Sequence, residues 1–184
     1  MAEEKKYLRA ILKETRESLT PSCAAAFSAR VQSAFLDADF YRQSQALILY
    51  AAIANEVSTD AILSDALAAD RAIFYPRLDR TRNALSLCKV TSRSALVPGL
   101  AFSVQGERMG RGGGHYDRLI AELAEVSPQA VTVGLAYSFQ LLDHIPQSGW
   151  DRRLNFVVTE SAIYPAPDAI WRESGVRTQG GIPR

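Results

Sequence analysis

A chain of 184 residues, 47% hydrophobic and 22% charged, is long enough for one domain with a substantial core, and its composition excludes a disordered or fibrous protein. The 21 basic and 20 acidic side chains leave a net charge of +1, so no overall field attracts nucleic acid or anionic lipid and any basic site is local. No apolar run reaches the length of a membrane span, and the charged start Met-Ala-Glu-Glu-Lys-Lys does not read as a signal peptide. Cys23 and Cys88 read as free core thiols, not as a disulfide or metal framework, so the expected compartment is the cytoplasm.

Residues 3 to 19 have the periodicity of an amphipathic helix, with Leu8, Ile11, Leu12 and Leu19 near one face. Lys5, Lys6, Arg9, Lys13 and Arg16 make the remainder basic, and the plain reading of such a stripe is a solvated face. Thr20-Pro21 supplies an N-cap and a proline at the first helical position, which starts a second helix running to about Asp39 over Phe27, Val31, Ala34 and Phe35. Residues 46–53 form a continuous apolar run, as expected of a strand buried on both faces. Ser58 or Thr59 then caps a helix from Asp60 to Ala69 with Ile62, Leu63, Ala66 and Leu67 inward, and residues 71–76 make the next strand. Strand, helix and strand in that order predict a parallel βαβ unit.

Residues 84–90 alternate apolar and polar, as an edge strand does, and a polar turn over 91–94 follows. Residues 95–102 are apolar again, with a bend at Pro98-Gly99, and Ser103 to Glu107 turn into a glycine-rich stretch. A helix is expected from Gly114 or His115 to about Val126 with Leu119, Ile120 and Leu123 inward. Then come a strand over 130–137, a short helix over 138–142 and a last strand over 154–159. The tail 161–184 is rich in proline and glycine and is expected to be mostly irregular. The alternation predicts one domain over 1–160 with a three-layer α/β/α architecture and a mostly parallel sheet.

The stretch Arg108-Met-Gly-Arg-Gly-Gly-Gly-His-Tyr-Asp-Arg118 holds Gly110, Gly112, Gly113 and Gly114. Glycines let backbone N–H groups approach an anion, and a helix beginning directly afterwards adds its own unpaired N–H groups. Arginines match phosphate oxygens with forked donors, so the stretch reads as a phosphate site. It is not a Walker loop, because His115-Tyr116 stand where lysine and serine or threonine are required, and the dinucleotide fingerprint fails at His115. A flexible glycine hairpin is the bland alternative. His115 and His144 have no partners at zinc-ligand spacing, His144 beside Asp143 reads as structural, and no Gly-x-Ser-x-Gly elbow occurs.

Arg108-x-Gly-x-Gly-x-Gly-x-Tyr-Asp-Arg118, preceded by Val97-Pro-Gly-Leu-Ala-Phe102, resembles the signature of the 5-formyltetrahydrofolate cyclo-ligases, also called methenyltetrahydrofolate synthetases. Further pieces agree in order: Lys5-x-x-Leu8-Arg9, Glu56-Val57-x-Thr59, Pro76 and Thr159-Glu160. The resemblance spans roughly residues 5 to 160 and implies an isomerase/CoA-transferase-like scaffold. It implies that 5-formyltetrahydrofolate and MgATP give 5,10-methenyltetrahydrofolate, ADP and phosphate. Carried over by position, Lys5, Arg9, Arg108, Met109, Gly110, Arg111, Gly112, Gly113, Gly114, His115 and Tyr116 would bind ATP. Glu56 and Arg111 through His115 would bind the folate, Arg111 and His115 would act in catalysis, and Asp117 would ligate Mg2+, a cation that prefers oxygen.

Three departures accompany the resemblance. His115 stands where the family usually has tyrosine, and Asn155 where it usually has an aspartate associated with metal and nucleotide. A segment of a few dozen residues that helps line the folate pocket is missing between Ser94 and Ala95. The alternative is therefore a catalytically impaired relative that binds nucleotide or phosphate; a sugar-phosphate isomerase lacks an acid–base constellation. The expected partners are small molecules, with no nucleic acid or membrane, and the chain is expected to be a monomer or weak homodimer.

Overall fold

A computed structural model describes residues 2–79, 84–86 and 94–167. Helix α1 spans Ala2–Glu17 and α2 spans Pro21–Leu36. The Thr20 hydroxyl accepts the Cys23 N–H at 3.2 Å and Pro21 opens α2, as the cap signal requires. A single turn, α3 (Asp39–Arg42), leads into strand β1 (Ala46–Ile48). Helix α4 (Asp60–Ala68) carries the chain to β2 (Ala72–Phe74), which pairs parallel to β1. Its N-terminus divides the two expected capping roles. Ser58 Oγ accepts the Asp60 N–H, while the Thr59 hydroxyl donates to the Tyr50 carbonyl.

Strands β3 (Arg77–Asp79) and β4 (Ala84–Ser86) form a separate antiparallel pair. Strand β5 (Ser94–Val97) ends at the Pro98-Gly99 bend, after which β6 (Ala101–Phe102) and β7 (Arg108–Met109) make a small hairpin. Helix α5 (His115–Val126) and strand β8 (Val131–Leu135) follow, then a 3-10 turn at Ser138–Gln140 and strands β9 (Phe156–Val158) and β10 (Ile163–Pro165). The main sheet has six strands in the order β10-β9-β8-β5-β1-β2, and only the β10–β9 pairing is antiparallel.

Side chains alternate across this sheet, as burial of both faces requires. Leu47, Leu49, Leu96, Val133, Phe156 and Val158 face one core with Val31 and Phe35 of α2 and Ile62 and Ala66 of α4. Ile48 faces the opposite side and meets Leu119 and Leu123 of α5, where Val97 and Val157 meet Ile120. The result is three layers, with α2 and α4 on one face and α5 on the other.

Several expectations are corrected. The apolar run 46–53 is not one buried strand: residues 46–50 are buried, but Ala51 and Ile53 turn out into an open loop. Ile11 and Leu67 are exposed, because each lies at the margin of a narrow apolar stripe. Cys23 is an exposed free cysteine in the first turn of α2, not a core thiol. Within the tail, expected to be mostly irregular, residues 163–165 pair with β9 and extend the sheet. Arg16, expected on a solvated face, is 1% exposed. Cys88, residues 87–90, the turn over 91–93 and residues 168–184 lie outside the described residues. Among those described, no helix is long and apolar enough to cross a membrane.

Candidate active site

The order of strands reverses its growth between β1 and β5: β2 lies to one side, β8 and β9 to the other. At such a switch point the loops leaving the two strands diverge and open a crevice beyond their carboxyl ends. Tyr50, Ala51, Ile53 and Glu56 after β1, and Pro98-Gly99 after β5, line a cleft of about 1110 Å3 there. α1 supplies Lys5 and Arg9 to the same cleft, and the β7–α5 connection supplies Arg108 through Asp117 without a break. Every residue that the sequence assigned to the site therefore lines one cavity.

Within the glycine stretch Gly112 and Gly114 take φ values of 99° and 63°, a left-handed backbone that glycine adopts without strain. Gly114 is also the N-cap of α5, and no side chain caps that helix. Its first-turn N–H groups are thus available to an anion in the cleft. Arg9 Nε donates to the Gly110 carbonyl at 3.0 Å and pins the loop to α1. Arg118 donates to the Gly113 carbonyl and lies 2.9 Å from His115 Nδ1. A guanidinium can only donate, so Nδ1 is the acceptor and the His115 proton sits on Nε2.

The charged residues fall into linked pairs. Arg108, its side chain 3% exposed, donates to Asp117 Oδ2 at 2.9 Å and to the Pro98 carbonyl at 3.3 Å. Asp117 Oδ1 accepts the Arg152 N–H at 3.2 Å. Arg108 is therefore a strut beneath the loop. Tyr116 lies beside it, with its ring centroid 5.8 Å from the guanidinium carbon. Burial, with Glu56 adding and Arg108 opposing, pushes the Tyr116 phenol up to about 12. Arg111 is the exposed arginine of the loop and reaches Glu56 Oε1 at 3.2 Å. Glu56 also accepts the Ile53 N–H at 3.2 Å and lies 3.6 Å from Arg16. Lys5 pairs with Asp151 at 2.7 Å and donates to Ser148 Oγ.

Asn155 is not in the cleft. Its Oδ1 accepts the Thr132 N–H and hydroxyl at 2.8 and 2.9 Å, and it fastens β8 to the chain entering β9. The expectation that this position bears on the metal is corrected, because its carboxamide is spent inside the sheet. The carboxylate that does line the cleft in this part of the chain is Asp151, next to Trp150, whose side chain is exposed along the rim. Neither belongs to a motif, and no sequence signal marked them. Arg16 was visible only as one more base on a helix. Among the described residues, no group of three or more His, Cys, Asp or Glu side chains gathers as a metal cluster.

A mostly parallel sheet with helices on both faces and an arginine-flanked glycine loop at its switch point defines an α/β protein with a cleft at the carboxyl ends of its strands. The family model described as the 5-formyltetrahydrofolate cyclo-ligase family matches residues 1–96 and 94–160. The chain belongs to that family, a family of ligases of folate metabolism. It is 26% identical over 161 residues to the probable 5-formyltetrahydrofolate cyclo-ligase of Caenorhabditis elegans, covering 68% of this chain and 77% of that protein. It is 36% identical over 92 residues to the 5-formyltetrahydrofolate cyclo-ligase of Escherichia coli K12, covering 50% of this chain and 48% of the relative. The fold is that of the NMR structure of Aquifex aeolicus 5,10-methenyltetrahydrofolate synthetase, with a TM-score of 0.76 at 24% identity, covering 96% of this chain and 99% of the other.

Proposed function

We propose that the cleft binds MgATP and 5-formyltetrahydrofolate together and closes the folate to 5,10-methenyltetrahydrofolate, releasing ADP and phosphate. The observation that carries this reading is the convergence of Lys5, Arg9, Glu56 and the whole Arg108–Asp117 stretch on one cavity of about 1110 Å3, more than a single drug-sized ligand needs. In this reading the glycine loop and the amino end of α5 take the triphosphate, and Glu56 faces the folate.

The reaction needs positioning more than acid–base power. An amide oxygen is a weak nucleophile and a poor leaving group, so it is first phosphorylated. The formyl oxygen bonds to the γ-phosphorus as the bond to ADP breaks, which leaves an N5-iminium phosphate. N10 then bonds to the formyl carbon, its proton leaves, and the C–O bond breaks to release inorganic phosphate. Arg111 swings from Glu56 to the transferring phosphoryl oxygens, and His115 offers them its Nε2–H. Lys5 holds its place through Asp151 and adds positive charge on the α1 side.

The donor set suits Mg2+, which takes one or two carboxylates and completes its octahedron with phosphate oxygens and water. Asp117 would hold it, since each of its oxygens accepts one hydrogen bond and keeps a further lone pair; Asp151 is the other carboxylate on this side of the cleft. When bound, the cation neutralises charge on the phosphates. The missing segment after Ser94 belongs to the same reading, and the two matched pieces of the family meet at residues 94–96.

Mixing the protein with 5-formyltetrahydrofolate and MgATP is expected to raise the near-ultraviolet absorbance of the methenyl product. No rise at high protein concentration, with nucleotide binding intact, would replace this reading with that of a relative that binds nucleotide without turnover. Trp150 lies on the rim of the cleft, and its fluorescence reports that binding.

A further inference from the structure

Arg16, at the carboxyl end of α1, is among the largest fully buried side chains of the molecule, at 1% exposed. Its NH1 donates to the Gly99 carbonyl at 3.2 Å and lies 3.6 Å from Glu56 Oε1. Nε and NH2 are buried with no hydrogen-bond partner among the described residues. Burial pushes the guanidinium's pKa down, Glu56 holds it up and Arg111 pushes it down again, yet an arginine stays cationic in all ordinary conditions.

Packing alone is a poor reason for such a group. A buried cation with part of its donor set unspent is held less cheaply than an apolar side chain of the same length. The geometry points instead to Glu56. Asn55 Nδ2 donates to the Arg16 and Leu19 carbonyls at 3.2 and 3.0 Å, so the loop that carries Glu56 is tied by the Asn55 side chain to the backbone at the same end of α1. Ala54 and Asn55 hold φ values of 49° and 56°, a left-handed conformation that asparagine adopts readily and that alanine keeps only when its surroundings demand it. Arg111 shares Glu56 Oε1, but its side chain is 51% exposed and rides on the glycine loop. One partner of the carboxylate is fixed, and the other is free to leave.

We propose that Arg16 is a positioning residue for Glu56: it compensates the carboxylate and fixes its direction when Arg111 leaves for phosphate, so that the folate meets a preset acceptor. This rests on the reading that Glu56 faces the folate and that the glycine loop takes the nucleotide. Nucleotide binding then uncovers Glu56 without releasing it, and folate binds more tightly to the nucleotide-loaded protein than to the free one. Arg16 itself touches neither substrate.

The test is a double-mutant cycle on folate affinity. 5-Formyltetrahydrofolate is titrated by calorimetry into the protein saturated with Mg2+ and a non-hydrolysable ATP analogue, for wild type, Arg16→Met, Glu56→Gln and the double variant. Arg16→Met is expected to weaken folate binding roughly tenfold, in the range of coupling between groups in contact, and to leave nucleotide affinity unchanged. In the Glu56→Gln background the same substitution is expected to add nothing. Arg16→Lys, which keeps the charge and loses the fork, recovers part of the affinity and carries the cycle if Arg16→Met does not fold. Losses that simply add, or that fall equally on nucleotide and folate, overturn the proposal and leave a structural arginine. Wild-type folate affinity in Glu56→Gln overturns the assignment of Glu56 and the proposal with it. Because affinity is measured, a protein without turnover still gives a readable cycle.

Discussion

Asp117 gives one oxygen to Arg108 and the other to the Arg152 N–H, so replacing it removes more than the proposed metal ligand. Arg108 is buried and its Nε already lacks a partner among the described residues, which makes it intolerant of losing its carboxylate. Asp117→Ala is expected to cost about 3 kcal/mol, the size of effect seen when one member of a buried ion pair is deleted. Asp117→Asn keeps an acceptor for the guanidinium, but removes the charge and leaves the Arg152 N–H without its acceptor. It is expected to unfold at a midpoint between those of the alanine variant and wild type and, measured where it is fully folded, to lose Mg2+-dependent turnover. An Asn variant whose rate follows Mg2+ concentration as wild type does would take Asp117 out of the metal role. At this scale the sequence was informative where a motif concentrates chemistry and silent where it does not. The glycine stretch declares itself by spacing. Arg16 looks like Lys13 until the loop after β1 and the bend after β5 close over it, and both lie far along the chain.

Helices with strong caps and stripes were legible as elements: α2 begins at Thr20-Pro21 and α5 begins at Gly114-His115, both as their local chemistry dictates. Some of the short strands were not. β3, β6 and β7 have two or three residues each, too few for a period-2 pattern to stand out from a loop, and their pairing is decided by neighbours. The length of β1 was overestimated because Ala51 and Ile53 are apolar yet line the open cleft and not the core. A cap offers a control that separates fold from function. None of the residues of α2 lines the cleft, so Thr20→Ala should lower stability by about 1 kcal/mol and leave kcat unchanged. A urea titration beside a turnover assay checks both; a fall in kcat at full folding would mean that α2 communicates with the site.

Across the whole molecule, burial acts on several tyrosines at once. Tyr50 and Tyr137 have their phenols raised by burial, Tyr41 likewise with the Asp65 carboxylate adding, and Tyr116 is pushed up to about 12. In the unfolded chain these groups ionise near pH 10. Between that pH and the higher values of the folded protein, the unfolded state binds fewer protons, so stability falls as pH rises. Their contribution is fully present below about pH 10 and is lost through the range up to and beyond pH 12. Denaturant midpoints measured at pH 8, 10 and 11 should therefore be level at first and then drop. A midpoint that rose above pH 10 would contradict the burial of these phenols.

The docking of α1 has a consequence for how the protein comes to be active. Lys5 meets Ser148 and Asp151 across 143 and 146 residues, Arg9 meets Gly110 across 101, and Arg16 meets Gly99 across 83. Contacts of such long reach form late, because the entropy of closing the intervening loops is lost before any of them is made. On a translating ribosome α1 is exposed for roughly ten seconds or more before the Ser148–Asp151 segment has been synthesised, at ordinary elongation rates. Four of the six strands of the main sheet precede that segment, and β9 and β10 follow it. The wall of the cleft that α1 supplies is thus fixed in place only after the Ser148–Asp151 segment and the strand that follows it have joined the core.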